Sequence, residues 1–377
     1  MNSLSRRQAL GLIPAAVLGT EPGSVLSRLP AGTPPGVAAI ISDTLRSAPG
    51  SHNTDWFGTL LMQGLLNWGK QIPEAGEFAK AWMGFHLSSK RVSPYSGHRS
   101  RVVDAGGIKI TTYCGQFGLS FPCWELFRQF RDERARRICV DVASIVLHRT
   151  ARNKYGMVIH ADDDDFTIPD ACYFIVTPLM IAYAIDRAKN AVYRDQAVYQ
   201  LRTYNEIFLD ETKGLAKTIL MKGGIGDTYW TRATGWLLWS MTGVLRHLEP
   251  AHPEFGGFIS KLRILADGIA RAQDPAGSLH LFVDEPASPQ ETTGTAMCAM
   301  GLHEAVRKGW LAPSYGPVAA KAWEYVKTKI TPEGRIVGAY TGWAVPAEKR
   351  EIEMDKVAMG WIPGFILSAA AEMSTGR

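Results

Sequence analysis

The chain has 377 residues, 46% of them hydrophobic, a formal net charge of +5 and five cysteines. That is apolar material for one large core or two smaller ones. The mild basic excess comes with no nucleic-acid motif, Arg134, Arg136 and Arg137 reading as one solvated helix face, and an odd cysteine count without close-paired spacing excludes a disulfide scaffold.

From the N-terminus, Ser5-Arg6-Arg7-Gln8-Ala9-Leu10 precedes the short apolar run GLIPAAVLG and then Pro/Gly-rich sequence. The run is too short to span a membrane. It resembles a twin-arginine export signal, with Ala9 where Phe is common. Residues 1–33 are therefore assigned to a signal and linker, and 34–377 to one folded domain. The expected location is outside the cytoplasm, periplasmic or secreted, without stable membrane association.

Beyond the linker, two kinds of helix alternate. One-sided amphipathic segments are predicted near 35–47, 74–89, 132–150, 192–208, 255–272 and 316–329; in the fourth, Val192, Val198, Leu201 and Phe208 are apolar and charges fill the other face. Between them lie six stretches that are apolar nearly all round, beginning near Asp55, Gly115, Asp170, Trp230, Glu291 and Ala358, at intervals of about sixty residues. An all-apolar helix must be buried and a one-sided helix covers it. The simplest closed arrangement is an all-α fold, an (α/α)6 barrel of six helical hairpins, starting with an outer helix and ending with an inner one. An open helical solenoid shares the period.

In such a barrel the inner helices run the same way, so their N-termini line a cup at one end. Asp55, Trp56, Gln116, Asp170, Trp230, Arg232, Glu291, Thr292, Met359 and Trp361 fall at repeat starts. Unsatisfied N–H groups and the positive ends of the helix dipoles favour an anionic ligand there, a carboxylate above all. Asp170 is a candidate acid, provided that burial beside aromatics such as Tyr173 and Phe174 outweighs the helix dipole; a plain N-cap is its alternative reading. Arg232, in WTRATGW, is badly placed for the dipole. It is read either as a fork for a ligand carboxylate or as half of an internal salt bridge, with Trp230 and Trp236 as a stacking wall or as core. Glu291 and Thr292 are candidates for the site or for capping. HADDDDF (160–166) lacks the spacing of a calcium loop, and His303-Glu304 is not HExxH because Arg307 stands where the second His would be. No metal site and no cofactor is expected.

These segments resemble a known group. DACYFIVTPLMIAYA is similar to the D-x-L-[YF]-M-x-x-P-F-L-A segment of the unsaturated glucuronyl and rhamnogalacturonyl hydrolases, glycoside hydrolase families 88 and 105. WTRATGW resembles their W-G-R-G-N-G-W, and ETTGTAMCAMGL their E-T-S-G-S-A-M-F. Looser likeness at DWFGTLLMQGLL and GWIPGFILSAAAE extends the resemblance from about residue 50 to the end. It implies an (α/α)6 barrel and the removal of a terminal unsaturated uronic acid from an acidic oligosaccharide. It implies Asp170 as general acid/base, and Trp230 and Arg232 as ligands of the sugar and its carboxylate.

Four positions depart from the family pattern. Gln116 stands at the place of a second aspartate, Lys217 or Thr218 at that of a histidine, and Thr231 and Ala233 at two glycines. These departures keep an exo-β-glucuronidase on saturated glucuronic acid as an alternative, which needs a second carboxyl from Glu291 or Asp104. A non-catalytic carbohydrate-binding protein is a further one. An epimerase of the N-acylglucosamine type ranks last, because only His160 lies near a repeat start; His160 is kept as a substrate-binding candidate.

Overall fold

The computed structural model describes residues 20–89, 92, 100–162, 166–342, 354–355 and 360–375. Six outer helices alternate with six inner ones. The outer set is α1 (Pro35–Arg46), α3 (Glu74–Ser89), α5 (Glu133–His148), α7 (Ala191–Phe208), α9 (Phe255–Ala272) and α11 (Gly316–Thr328). The inner set is α2 (Trp56–Leu66), α4 (Ser120–Phe130), α6 (Pro169–Ile185), α8 (Thr231–Leu245), α10 (Thr292–Arg307) and α12 (Trp361–Met373).

The two classes differ in burial as their sequences require. In α8 all 15 residues are buried. In α9 only Phe258, Leu262, Leu265, Ala266, Gly268 and Ile269 are, a single stripe at helical spacing. Each inner helix packs on the next, and α12 packs back on α2. This contact separates a barrel from a solenoid. It depends on small residues: a Cβ on Gly364 would come within 2.6 Å of the Leu60 backbone, and one on Gly64 within 2.7 Å of the Gly364 carbonyl. Trp68 Nε1 then donates to Leu367 O at 3.1 Å across the seam. The fold is an (α/α)6 barrel.

The inner N-termini share one end with the long outer-to-inner connections. Those connections carry short antiparallel ladders that the sequence reading did not contain. They are β1 (Val102–Ala105) with β2 (Ile108–Thr111), β4 (Leu209–Asp210) with β5 (Leu215–Ala216), β8 (Leu279–His280) with β9 (Gln290–Glu291), and β3 (Phe166–Thr167) with β6 (Leu220–Met221) and β7 (Gly224–Ile225). Strands of two to four residues are too short to display alternation. They form the rim of the cup.

Two local differences have physical causes. The stretch from Gly115 opens as a 3-10 segment, Cys114–Leu119, before α4 begins. Gly118 lies so close to α2 and α6 that a Cβ would meet Thr59 Oγ1 at 2.7 Å and the Phe174 ring at 2.9 Å. Residues 20–33, assigned from sequence to the linker, lie on the barrel: Val25 is buried, and Arg28 pairs with Glu74 at 2.7 Å. The twin-arginine segment lies outside the described residues. All five cysteines are buried thiols outside any disulfide, and no helix among the described residues is long and apolar enough to cross a membrane.

Candidate active site

Asp170 occupies the second position of α6, after Pro169; the N-cap is Ile168, so Asp170 is not the capping residue. Proline at the first helical position costs no hydrogen bond, because that N–H has no intrahelical partner. The Asp170 side chain is directed into the cup wall. Its Oδ1 is sealed from solvent and makes no hydrogen bond. Burial pushes its pKa up to about 6; the Arg232 charge, its own backbone N–H and the Trp236 indole pull the other way with smaller effect. Trp236 Nε1 is itself buried without a partner, so a carboxyl oxygen and an indole N–H stand as neighbours with no hydrogen bond formed.

Trp236 sits one helical turn after Arg232 on α8. The Arg232 guanidinium lies over the Trp230 ring at 4.0 Å and over the Trp361 ring at 4.8 Å. Trp361 in turn stacks on Trp56, centroids 5.3 Å apart. Trp56, Trp361, Arg232 and Trp230 thus form one continuous wall. The indole nitrogens of Trp56 and Trp230 are buried and unpartnered, like that of Trp236.

Arg232 is 3% exposed. Its Nη1 donates to Tyr340 O and its Nη2 to Gly342 O, the latter at 2.6 Å. Glu291 lies 4.0 Å from Nη1. Burial lowers its pKa, against the raising effect of Glu291, Asp170 and Tyr340. Of the two sequence readings for Arg232, the internal pairing is the one the geometry displays: Nη1 and Nη2 each donate to a strap carbonyl, Glu291 stands beside Nη1, and two indole rings lie against the guanidinium.

Glu291 is the N-cap of α10, fully buried. Oε1 accepts from Thr293 N (3.1 Å), Thr293 Oγ1 (2.5 Å) and Tyr340 N (3.2 Å), and Oε2 from Gly294 N (2.6 Å). Thr292 donates to Gly338 O from its backbone (2.8 Å) and to Val337 O from its hydroxyl (2.7 Å). Glu291, Thr292 and Arg232 therefore grip one strap, residues 337–342, which Asp355 holds from its other side through Gly338 N and Ala339 N. Nothing in the residue pattern marks this strap, since an irregular segment has no period and its contacts are backbone to side chain. Tyr340 was missed for that reason.

The remaining candidates lie apart from Asp170 or serve the scaffold. Asp104 is exposed on the β1–β2 hairpin, bound to Lys109 (2.8 Å) and to Gly107 N (2.7 Å), and this hairpin packs on the outer helix α5, with Gly106 against Ile138. Gln116 is buried and accepts from Thr111 N at 2.6 Å. His160 is buried between the rings of Tyr113 and Phe166, both at 5.0 Å. Lys217 is half-buried on the rim strand between β5 and β6. In HADDDDF, Asp162 binds Arg101 (2.9 Å) and Thr112 (2.6 Å), while Asp163, Asp164 and Asp165, like Met359, lie outside the described residues. Among the described residues no group of three His, Cys, Asp or Glu could hold a metal ion.

Residues 42–375 match the sequence profile of Glycosyl Hydrolase Family 88. The chain belongs to that family. It is accordingly a glycoside hydrolase. Among curated relatives, it is 25% identical over 244 residues to the unsaturated rhamnogalacturonyl hydrolase YesR of Bacillus subtilis (strain 168), covering 62% of this chain and 69% of that one. Among solved structures, it superposes on a possible member of the GH105 family from Klebsiella pneumoniae subsp. pneumoniae MGH 78578 with a TM-score of 0.76 at 16% identity, covering 99% of this chain and 94% of that one. The unsaturated glucuronyl hydrolase of Bacillus sp. GL1, responsible for the degradation of glycosaminoglycan, gives a TM-score of 0.65 at 15% identity over 86% and 87% of the two chains. These structures share the barrel with this family 88 chain.

Proposed function

We propose that this glycoside hydrolase removes a terminal unsaturated uronic acid from an acidic oligosaccharide by hydration of the C4=C5 double bond. Asp170, protonated, gives its proton to C4. The π electrons of the double bond form the new C4–H bond and leave an oxocarbenium ion at C5. Water adds to C5 and loses a proton to the Asp170 carboxylate, which restores the acid. The C5 hemiketal opens by breaking C5–O5, and the resulting hemiacetal at C1 releases the aglycone sugar. One water is consumed and one carboxyl suffices.

The observation that carries this reading is the state of Asp170: a half-buried residue whose carboxyl has a pKa near 6 and one sealed oxygen that no protein donor occupies. A proton donor for chemistry near neutrality needs both properties. The saturated β-glucuronidase alternative needs a second carboxyl flanking the bond, and the two candidates, Glu291 and Asp104, are held in a cap and in a surface ion pair. The buried indoles of the cup wall suit the apolar faces of a sugar. Export through the Ser5-Arg6-Arg7 segment is part of the proposal, placing the enzyme where extracellular polysaccharide fragments arrive.

The test is ultraviolet absorbance of an unsaturated glucuronyl disaccharide incubated with the protein, beside a chromogenic saturated β-glucuronide. Loss of the double-bond absorbance supports hydration. Release of the chromophore with the double bond untouched supports the saturated reading instead.

A further inference from the structure

A uronic acid brings a carboxylate into the cup, and the residue named for it by resemblance, Arg232, is buried and already engaged by the protein. Its Nη1 and Nη2 donate to carbonyls of the strap, the Trp230 and Trp361 rings lie against it, and Glu291 stands 4.0 Å away as its counter-ion.

The rim offers another cation. Lys217 is half-buried, and among the described residues its ammonium has neither an ion-pair partner nor a hydrogen-bond partner. The other rim cations differ: Lys109 is paired with Asp104, Arg101 with Asp162 and Lys213 with Asp284, while Lys222 is exposed on the β6–β7 turn. Partial burial of an unpaired charge is unfavourable unless a ligand completes the pair.

The backbone around Lys217 is fixed at the site. Ala216 N donates to Thr234 Oγ1 on the first turn of α8 at 3.2 Å. Lys217 N donates to Phe208 O at 2.8 Å, and Thr218 Oγ1 receives Trp230 N at 2.9 Å. Leu220 pairs with Thr167, three residues before Asp170. Lys217 thus stands on the segment that bridges the N-termini of α6 and α8, the two helices that carry Asp170 and the Trp230–Arg232 wall.

We infer that Lys217, and not Arg232, is the specificity residue that pairs with the substrate carboxylate. This rests on the uronate reading above. It makes Arg232 a positioning residue, tested separately below. A lysine ammonium is a compact point charge on a flexible stem and needs no fork geometry to meet a carboxylate.

The experiment is binding of glucuronic acid and of its methyl ester, followed by tryptophan fluorescence, in wild type, Lys217→Met and Lys217→Arg. Thermal melts serve as the fold control, and turnover of the unsaturated disaccharide is measured in parallel. Wild type is expected to prefer the acid, Lys217→Met to lose about tenfold or more in acid affinity with the ester unchanged, and Lys217→Arg to retain the preference. An acid-to-ester ratio that stays the same in Lys217→Met overturns the assignment, as does equal binding of acid and ester by wild type. If acid preference vanishes in Lys217→Met while wild type consumes no double bond, Lys217 stands and the hydration reading falls. If wild type turns over and the ratio survives the substitution, the hydration reading stands and Lys217 falls.

Discussion

The Asp170 carboxyl and the Trp236 indole meet in the cup wall, each with a buried polar atom that no hydrogen bond satisfies. Two such atoms side by side are a standing cost to the fold, and a ligand or water that joins them relieves it. Asp170→Asn removes the proton donor and keeps the shape. Turnover should fall by at least about a hundredfold, the lower end for a general acid, with the barrel intact by circular dichroism. Normal turnover in this variant would sink the role given to Asp170.

The same carboxyl makes stability depend on pH. Its folded pKa lies near 6, raised from an ordinary value of 3.8. The folded state therefore holds the proton more tightly than the unfolded chain. Its contribution to stability declines as pH rises from about 4 to about 6 and is flat above. Two units correspond to roughly 2–3 kcal/mol at pH 7. Asp170→Asn should be more stable than wild type at pH 7.5 by up to that amount and lose the advantage near pH 4, as read from denaturant midpoints at the two pH values. Activity should fall on the alkaline side with an apparent pKa near 6, because only the protonated carboxyl gives a proton to C4.

Arg232 holds the strap and faces Glu291 in a sealed environment. Arg232→Met leaves the Glu291 carboxylate buried without its cation. Removing one partner of a buried pair costs about 3–5 kcal/mol, so a large drop in melting temperature is expected, with loss of activity following from the freed strap. Arg232→Lys keeps the charge and loses the two-faced stack, and it should recover only part of the stability. A melting temperature equal to wild type in Arg232→Met would contradict the latch.

Glu291→Gln tests the carboxyl that the saturated alternative requires. The amide keeps an acceptor for the α10 cap and removes any acid or base function. Turnover should stay within about tenfold of wild type with the pH profile in place, and the loss should appear in stability, about 3–5 kcal/mol because Arg232 is left buried without its anion. A collapse of kcat with an unchanged melting temperature would restore Glu291 as a catalytic group.

At the seam, Gly364→Ala places a methyl group within 2.6 Å of the Leu60 backbone. Backbone cannot swing away as a side chain can, so α2 and α12 must separate. The expected destabilisation is about 1–3 kcal/mol, the usual cost of overpacking, against little change for alanine at Gly256, where a Cβ meets nothing within 4 Å.

The barrel was legible because its signal is long and repeated. An inner helix such as α8 is apolar over its whole length and α9 on one stripe, and the contrast recurs six times. Asp170 was legible as a polar residue opening an apolar helix. Its unpartnered state was not, because that depends on where Arg232 and Trp236 come to lie. Arg232 shows the limit most clearly. A buried guanidinium looks the same in sequence whether its partner is a ligand carboxylate or the carbonyls of Tyr340 and Gly342, more than a hundred residues away. The rim ladders and the strap escaped for the same reason: their hydrogen bonds join segments with no periodic pattern.

The seam between α2 and α12 also governs how the chain reaches its native state. Asn67 and Ser368, which meet there at 3.3 Å, are 301 positions apart. A row of hairpins could gain stability one unit at a time from either end. A closed ring leaves one inner face uncovered until the last helix arrives. The final hairpin therefore completes every earlier one, so slow, cooperative assembly is expected, and a chain shortened ahead of α12 should expose the apolar side of α2 to aggregation.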